Sequence, residues 1–275
     1  MPNIYDDDFS KLEHEGWSRV SDQYESAWAN LTTQFIDPLL DAVGIHPGMQ
    51  VLDVACGPGY VSQGIHLRMA LPTGLDFSAA MVDLATRLFP HIRFVEGDAQ
   101  RLEFPDETFD RVVMNFGMAH LIKPQEAIAE AHRVLKRNGK YGFTAWAGPE
   151  LSPVAKVMNE SIMQFADQSI QVPDAPAHYL FSDEQLCRNV LIEHGFDASG
   201  IQFRRHFIEW NVPTADFYFE TEMRAGVRTV AFLKPQTSET LAKIKAAVRE
   251  KMQQFYTGES YRLKFCGCVI AAVKR

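Results

Sequence analysis

The sequence predicts an α/β protein: a seven-stranded, mostly parallel sheet with helices on both faces, a helical N-terminal cap and inserted helical lid segments. Three observations predict it. From Met49 onward, short apolar runs alternate with stretches of helical periodicity. The links between them are short, as expected of parallel strands joined by crossover helices. Three stretches, 1–45, 148–181 and 214–258, step outside this alternation and read as helical additions to the core.

The elements follow in order. Trp17, Val20, Tyr24, Ala27, Trp28 and Leu31 recur at three- and four-residue steps and predict one apolar helical stripe. Asp37–Val43 predicts a short helix, with Pro38 near its start and Gly44 after its end. Strands are expected at Gln50–Val54, Thr73–Asp76, Ile92–Glu96, Arg111–Asn115 and Lys140–Trp146. A helix is expected from Pro124 through the basic Lys136-Arg137, closed by Gly139. In 148–181, four prolines surround a helical patch at Val154–Phe165. Ser182-Asp183-Glu184-Gln185 reads as a capping box opening a helix that stops before Gly195. A strand follows near Ile201–Trp210. Residues 214–258 read as helices, with a stripe of Leu241, Ile244, Val248 and Phe255 along the second, and Leu263–Val273 closes as an apolar strand. The expected organisation is one domain over 1–275: a cap (1–45), a core (46–147) and two lid segments (148–181, 214–258).

Composition narrows the function. The chain has 275 residues, 46% hydrophobic and 23% charged, and a net charge of −8. That acidity argues against nucleic acid, whose phosphates need a basic face, and against an anionic membrane surface. A small molecule is the expected partner. The acidic start, Met1 to Asp8, lacks the pattern of a secretory signal. Four cysteines without a CxxC pair, of which Cys266 and Cys268 share one strand face, read as buried thiols of a cytoplasmic protein. The nine histidines show no metal-site spacing, and no metal is assigned. Oligomeric state stays open between monomer and homodimer.

The chemistry concentrates at strand ends. Val51-Leu52-Asp53-Val54-Ala55-Cys56-Gly57-Pro58-Gly59-Tyr60 is a buried strand running into a glycine-rich turn. Glycine lets such a backbone turn tightly and approach a ligand. Asp76 ends the next strand, placed to take ribose hydroxyls. Gly97-Asp98-Ala99 follows the third strand, where an acid can accept from an adenine amino group, and Asn115-Phe116-Gly117 follows the fourth. Together they predict a site for an adenosine-containing cofactor. A dinucleotide turn would have a third glycine where Ser62 stands, which weakens a nicotinamide or flavin reading.

The blocks VLDVACGPGY, GLDFSAAMVDLA, FVEGDAQRLEFPDETFDRVVMNF and EAHRVLKRNGK, with the strand after them, resemble the class I S-adenosylmethionine-dependent methyltransferases. The resemblance covers roughly residues 49–147 and is nearest to small-molecule enzymes similar to the ubiquinone and menaquinone C-methyltransferases. It implies a Rossmann-like sheet and S-adenosylmethionine as cofactor. One departure is Ala55, where the family's turn has its first glycine. The resemblance implies that Ala55, Cys56, Gly57 and Gly59 shape the turn against the cofactor and that Asp53 orders it and receives the ammonium. Asp76 would hold the ribose, Phe77 and Met81 would pack on the adenine, Gly97, Asp98 and Ala99 would read its edge, and Asn115, Phe116 and Gly117 would line the methionine end.

Methyl transfer asks mainly for alignment and exclusion of water, with a base only where the acceptor has a proton to lose. His120, just past the fourth strand end, is the candidate base, against the alternative of a histidine that ties down its loop. Tyr24, Trp17 and Trp28 would close over a sulfonium, or form the packed face of the first helix. Phe165, Tyr179, Phe181, Phe217, Tyr218 and Phe219 indicate a largely apolar acceptor pocket, or ordinary core. The expected activity is methyl transfer to oxygen, carbon or nitrogen of a small acceptor. The alternatives are a cyclisation or rearrangement on the same fold with a structural or absent cofactor, and a non-catalytic nucleotide-binding subunit.

Overall fold

Apolar runs that alternate with helices must bury both faces of the sheet they form, and they do. A computed structural model describes residues 7–275; most of the acidic start, on which the signal-peptide reading rests, lies outside them. The chain opens with α1 (Asp8–Val20), capped by the Asp7 carboxylate on the Ser10 amide. A 3₁₀ turn (Ser21–Gln23), a π turn (Glu25–Ala29), the single turn α2 (Asn30–Thr32) and a second 3₁₀ turn (Thr33–Phe35) lead into α3 (Ile36–Val43). The alternating core is β1 (Gln50–Val54), α4 (Tyr60–Leu67), β2 (Leu71–Asp76), α5 (Ala79–Leu88), β3 (Arg93–Glu96), β4 (Phe109–Asn115), α6 (Pro124–Val134) and β5 (Leu135–Trp146). There follow α7 (Pro153–Phe165), α8 (Glu184–Glu193), β6 (Gln202–Val212), α9 (Phe217–Ala225), α10 (Val227–Leu233), α11 (Ser238–Met252) and β7 (Tyr261–Val273).

The sheet has seven strands in the order β3-β2-β1-β4-β5-β7-β6. β7 alone runs antiparallel, to both neighbours, and the other pairs are parallel. The mostly parallel sheet expected from the sequence is therefore present. Neighbouring residues of one strand serve opposite faces. Leu52 and Val112 join a core with α6 and α8, whereas Val51 and Val113 pack with Leu39, Leu40 and Ile65 beneath α3 and α4. A third core, with Val154, Met158, Phe219, Ile244, Val248 and Met252, binds α7, α9 and α11 to the β6–β7 end. Order reverses between β1 and β4, the switch point where open α/β sheets take ligands.

Four local expectations are corrected. The N-terminal stripe is not one helix: the π and 3₁₀ turns interrupt it between Val20 and Ile36. Helix α6 stops at Val134, because Leu135 is already extended and pairs with Phe109 on β4. Lys136 and Arg137 therefore belong to β5, where Lys136 pairs with Asp110 at 2.9 Å, and the left-handed residue is Asn138 rather than Gly139. Asp183, not Ser182, caps α8, accepting from the Gln185 and Leu186 amides. Residues 214–258 hold three helices, and the stripe belongs to the third. Its exposed start and buried Val248 and Met252 still give one packed face.

Candidate functional site

Three strand ends build one wall. Beyond β1 the backbone turns left-handed at Ala55, Gly57 and Gly59, with φ of 53°, 52° and 86°. Gly57 donates its amide to Asp76 Oδ2 at 2.8 Å, and the Ser78 amide donates to Oδ1 at 3.0 Å. The first turn is thus tied directly to the acid ending β2. Beyond β4, Phe116 adopts φ 59°, a conformation sparsely populated by large side chains that costs of order 1–3 kcal/mol. The Thr144 hydroxyl accepts from the Phe116 amide at 2.9 Å, and Phe116 stacks on Trp146 with centroids 3.9 Å apart. Asn115 accepts from Thr144 and donates to the Thr32 carbonyl, so the fourth-strand terminus also grips the N-terminal cap.

These ends open into a cavity of about 490 Å³. Of the residues expected at a cofactor, Tyr24, Ala55, Gly57, Asp76, Phe77, Met81, Asn115, Phe116 and Gly117 line it, as does His120. Asp53, Cys56, Gly59, Gly97, Asp98 and Ala99 do not. Asp53 is buried, accepts from the Ser62 hydroxyl at 2.6 Å, and leaves Oδ1 without a partner. Cys56 is buried. Gly59 caps α4, and a Cβ there would stand 2.7 Å from Phe94; one on Gly97 would stand 2.8 Å from Leu75. Asp98 accepts from the Gln100 amide within its own turn, and Ala99 joins the core. Burial raises Asp53 to about 7 and Asp76 to about 6, against the hydrogen bonds each carboxylate accepts.

A second cluster closes this end from above. Glu13 on α1 is fully buried, accepts from Arg228 Nε at 2.9 Å and Trp17 Nε1 at 3.0 Å, and lies 2.9 Å from His120 Nδ1. Burial alone would raise Glu13, but His120 and Arg228 outweigh it and bring it to about 2. Arg228 on α10 also donates to the carbonyls of Pro176 and Ala119. His120 therefore ties its loop to the cap while its ring, edge-on to Trp17, borders the cavity. Nearby His178 is lowered to about 4, by burial first and then by the positive charge of His120 and Arg228.

The other end is aromatic. Trp28, Trp146, Met158, Tyr179, Tyr218 and Phe265 line it, and Tyr218 meets Phe265 with centroids 5.8 Å apart. Trp28 Nε1 donates to the Ala225 carbonyl at 3.0 Å, which fixes the cap against α9. Of the aromatics expected around an acceptor, Tyr179 and Tyr218 reach the cavity, Phe181 and Phe219 are buried core, and Phe165 and Phe217 pack against it. Glu222 also faces the cavity. Sequence reasoning missed Glu13, His178, Glu222 and Arg228. No local motif marks them; the one hint was charge inside an otherwise apolar helical face, at Glu13 and Glu222.

The cavity suits an adenosyl ligand by its own chemistry. Gly57 leaves open space where a Cβ would stand, and Asp76 keeps acceptor capacity beyond two amides. Among the described residues no group of three metal-ligating side chains occurs. The profile of a family described as a methyltransferase domain matches residues 51–139. Over that stretch the chain is similar to a methyltransferase domain. It is 36% identical over 146 residues to the demethylmenaquinone methyltransferase of Renibacterium salmoninarum, covering 50% of this chain and 60% of that protein. The same enzyme from Streptomyces griseus is 30% identical, with 53% and 64% covered. The chain thus spans less than two thirds of these relatives' length. Among solved structures, the [4+2]-cyclase SpnF superposes with a TM-score of 0.60 at 19% identity, covering 96% of each chain. A phosphoethanolamine N-methyltransferase from Haemonchus contortus superposes with 0.55 at 16% identity, covering 97% of this chain and 60% of that one. At these identities the shared feature is the fold of the methyltransferase domain.

Proposed function

We propose that the protein is an S-adenosylmethionine-dependent methyltransferase that moves a methyl group to a small, partly apolar acceptor. The carrying observation is the convergence of the β1, β2 and β4 termini on one cavity, with Asp76 bonded across to the Gly57 turn. When bound, the cofactor supplies a sulfonium methyl for in-line displacement. Asp76 holds the ribose hydroxyls, Phe77 and Met81 pack on the base, and Gly57 lets the turn approach. Asp53 acts through the turn it buttresses, and Gly97, whose amide donates to the Asp76 carbonyl, acts through the end of β2. Asn115, Phe116 and Gly117 border the reacting end, and the clasp of Glu13, His120 and Arg228 shuts water out, which is where most of the acceleration in such a transfer originates. His120 belongs to this clasp as a positioning residue.

The relatives' name supports a quinone-type ring as acceptor, in the quinone or the hydroxylated quinol form, and the aromatic far end suits one. The whole chain acts as one unit, with 1–45 as cap and 148–181 and 214–258 as lid segments around the 46–147 core. No helix among the described residues is long and apolar enough to cross a membrane. Together with four free, buried cysteines this supports a cytoplasmic enzyme working on a small molecule. Calorimetry with S-adenosylmethionine beside NAD tests the reading. Asp76→Ala is expected to weaken S-adenosylmethionine by roughly 1–3 kcal/mol. Undiminished affinity in that variant, or binding of NAD alone, would refute it.

A further inference from the structure

The cavity is longer than the cofactor end requires. Asp76 ends β2, and Tyr218 packs on Phe265 of β7. Along the order β2-β1-β4-β5-β7 these lie four strand steps apart, roughly 19 Å at the usual inter-strand spacing. At that far end one carboxylate faces the cavity. Glu222 sits one turn after Tyr218 on α9, and its Oε2 lies 2.4 Å from where a Cβ on Gly226 would stand. The absence of a side chain at Gly226 is what lets the carboxylate occupy this position. The hydroxyls of Tyr218 on its own helix and Thr229 on α10 are within reach. Tyr179, anchored by Asn159 of α7, completes the titratable groups that face it. Among the described residues no ion pair engages Glu222, and Arg228 and His120, which also line the cavity, are engaged with Glu13.

We propose that Glu222 is the catalytic base that takes the proton from a hydroxyl on the aromatic ring of the acceptor, with Tyr218 and Thr229 holding its carboxylate in place. This rests on the methyltransferase reading and adds the residue and the acceptor's reacting group. In the step, the acceptor's O–H bond breaks and the proton moves to a Glu222 oxygen. The freed electron pair, on oxygen or delocalised to a ring carbon, forms the new bond to the methyl group. The carbon–sulfur bond breaks with its electrons going to sulfur, and a neutral thioether leaves. When oxygen is methylated, the proton held by Glu222 goes to solvent; when carbon is methylated, the ring proton lost on rearomatisation goes to solvent and the proton held by Glu222 returns to the ring oxygen. Burial raises Glu222 above the ordinary carboxylate range, which brings it nearer the acidity suited to a base at neutral pH. An unpaired carboxylate in an apolar cavity also disfavours a permanently anionic acceptor, through repulsion and desolvation.

2-Naphthol, a phenol whose fluorescence distinguishes naphthol from naphtholate, tests this in the full chain saturated with S-adenosylhomocysteine. The wild type should bind it and show naphtholate emission that grows as pH rises through the titration of Glu222. Glu222→Gln should bind it within about threefold yet, at pH values below the naphthol's own ionisation, show no pH-dependent growth of naphtholate emission, because an amide cannot take the proton. Glu222→Asp should restore part of the naphtholate band, so a misfolded amide variant would not decide the matter. S-adenosylmethionine affinity should stay within about twofold in both variants, and methyl transfer to any phenol that the wild type accepts should fall roughly 100-fold or more in Glu222→Gln. Naphtholate emission unchanged in Glu222→Gln, or no binding of 2-naphthol by a wild type that binds S-adenosylmethionine, would overturn the proposal. Failure of the wild type to bind S-adenosylmethionine would instead overturn the reading beneath it.

Discussion

The two ends of the cavity are built in different ways. At the cofactor end, consecutive strand termini place Ala55, Gly57, Asp76 and Asn115–Gly117 within one continuous stretch of alternating chain. At the far end, Trp28, Trp146, Met158, Tyr218, Glu222 and Phe265 arrive from five separate elements. The first kind of site is written in local pattern, because a turn needs particular backbone freedom and a strand end needs a particular acid. The second is written in packing, which leaves only apolar periodicity in the sequence. The fold is shared with a cyclase and with a methyltransferase, so it does not by itself decide what the far end accepts.

Removing Glu13 should produce the largest effect, since it holds the cap to α10 across the cofactor end. Glu13→Ala breaks a buried pair whose partners are partly exposed, so a loss of roughly 2–4 kcal/mol is expected in urea unfolding, together with weaker cofactor binding. A change below measurement error would remove the clasp from the account. Next come two glycines of one turn. Gly59→Ala drives a Cβ toward Phe94 at positive φ and should cost about 1–3 kcal/mol of stability. Gly57→Ala meets no atom within 4 Å and should cost only about 1 kcal/mol, while weakening the cofactor more than Gly59→Ala does. The opposite ranking would mean that Gly57 is structural.

Acidity separates the carboxylates of the cofactor end from one another. Asp53 and Asp76 are raised, so between pH 4 and 7 the native protein holds protons that the unfolded chain has released. Their contribution to stability therefore falls as pH rises through that window. Glu13 is lowered, and its contribution, present above the ordinary glutamate value of 4.5, is lost as pH falls toward about 2. Thermal melts of Asp53→Asn should show a shallower decline from pH 4 to 7 than the wild type; a parallel curve would show that Asp53 does not titrate there. The smallest effect is expected at the far end. Trp146→Leu should raise the acceptor KM by several-fold, roughly 1 kcal/mol, and leave S-adenosylmethionine affinity alone. Equal damage to both ligands would erase the distinction between the ends.

The alternation of apolar runs and helices was enough to read the sheet, and β1 matches its expected bounds residue for residue. The helix α6 was read too long because Lys136-Arg137-Asn138-Gly139 carries the residues of a helix terminus, and only its pairing with β4 and Lys274 turns it into strand. The interrupted N-terminal stripe has the same origin. Its apolar spacing suits one helix, but Tyr24 bonds to Thr32, Trp28 bonds to Ala225, and the backbone bends into π and 3₁₀ turns to serve both. Asp76 was legible because a strand end fixes where it points. Glu13 and Arg228 were not, since their meaning depends on helices 215 residues apart in sequence coming into register, and Glu222 was not, because a glutamate on a helix carries no local sign that it faces a cavity.

The antiparallel β7 lies between β5 and β6, and among the described residues no other strand lies beside β6. Until Tyr261–Val273 inserts, Gln202–Val212 is an orphan with no ladder to join, so the assembly order of this sheet is fixed at one edge. Long-range closure of this kind slows refolding. Pulse-labelled hydrogen exchange should find the amides of both strands acquiring protection in the same late phase, and early protection of β6 alone would contradict that sequence of events.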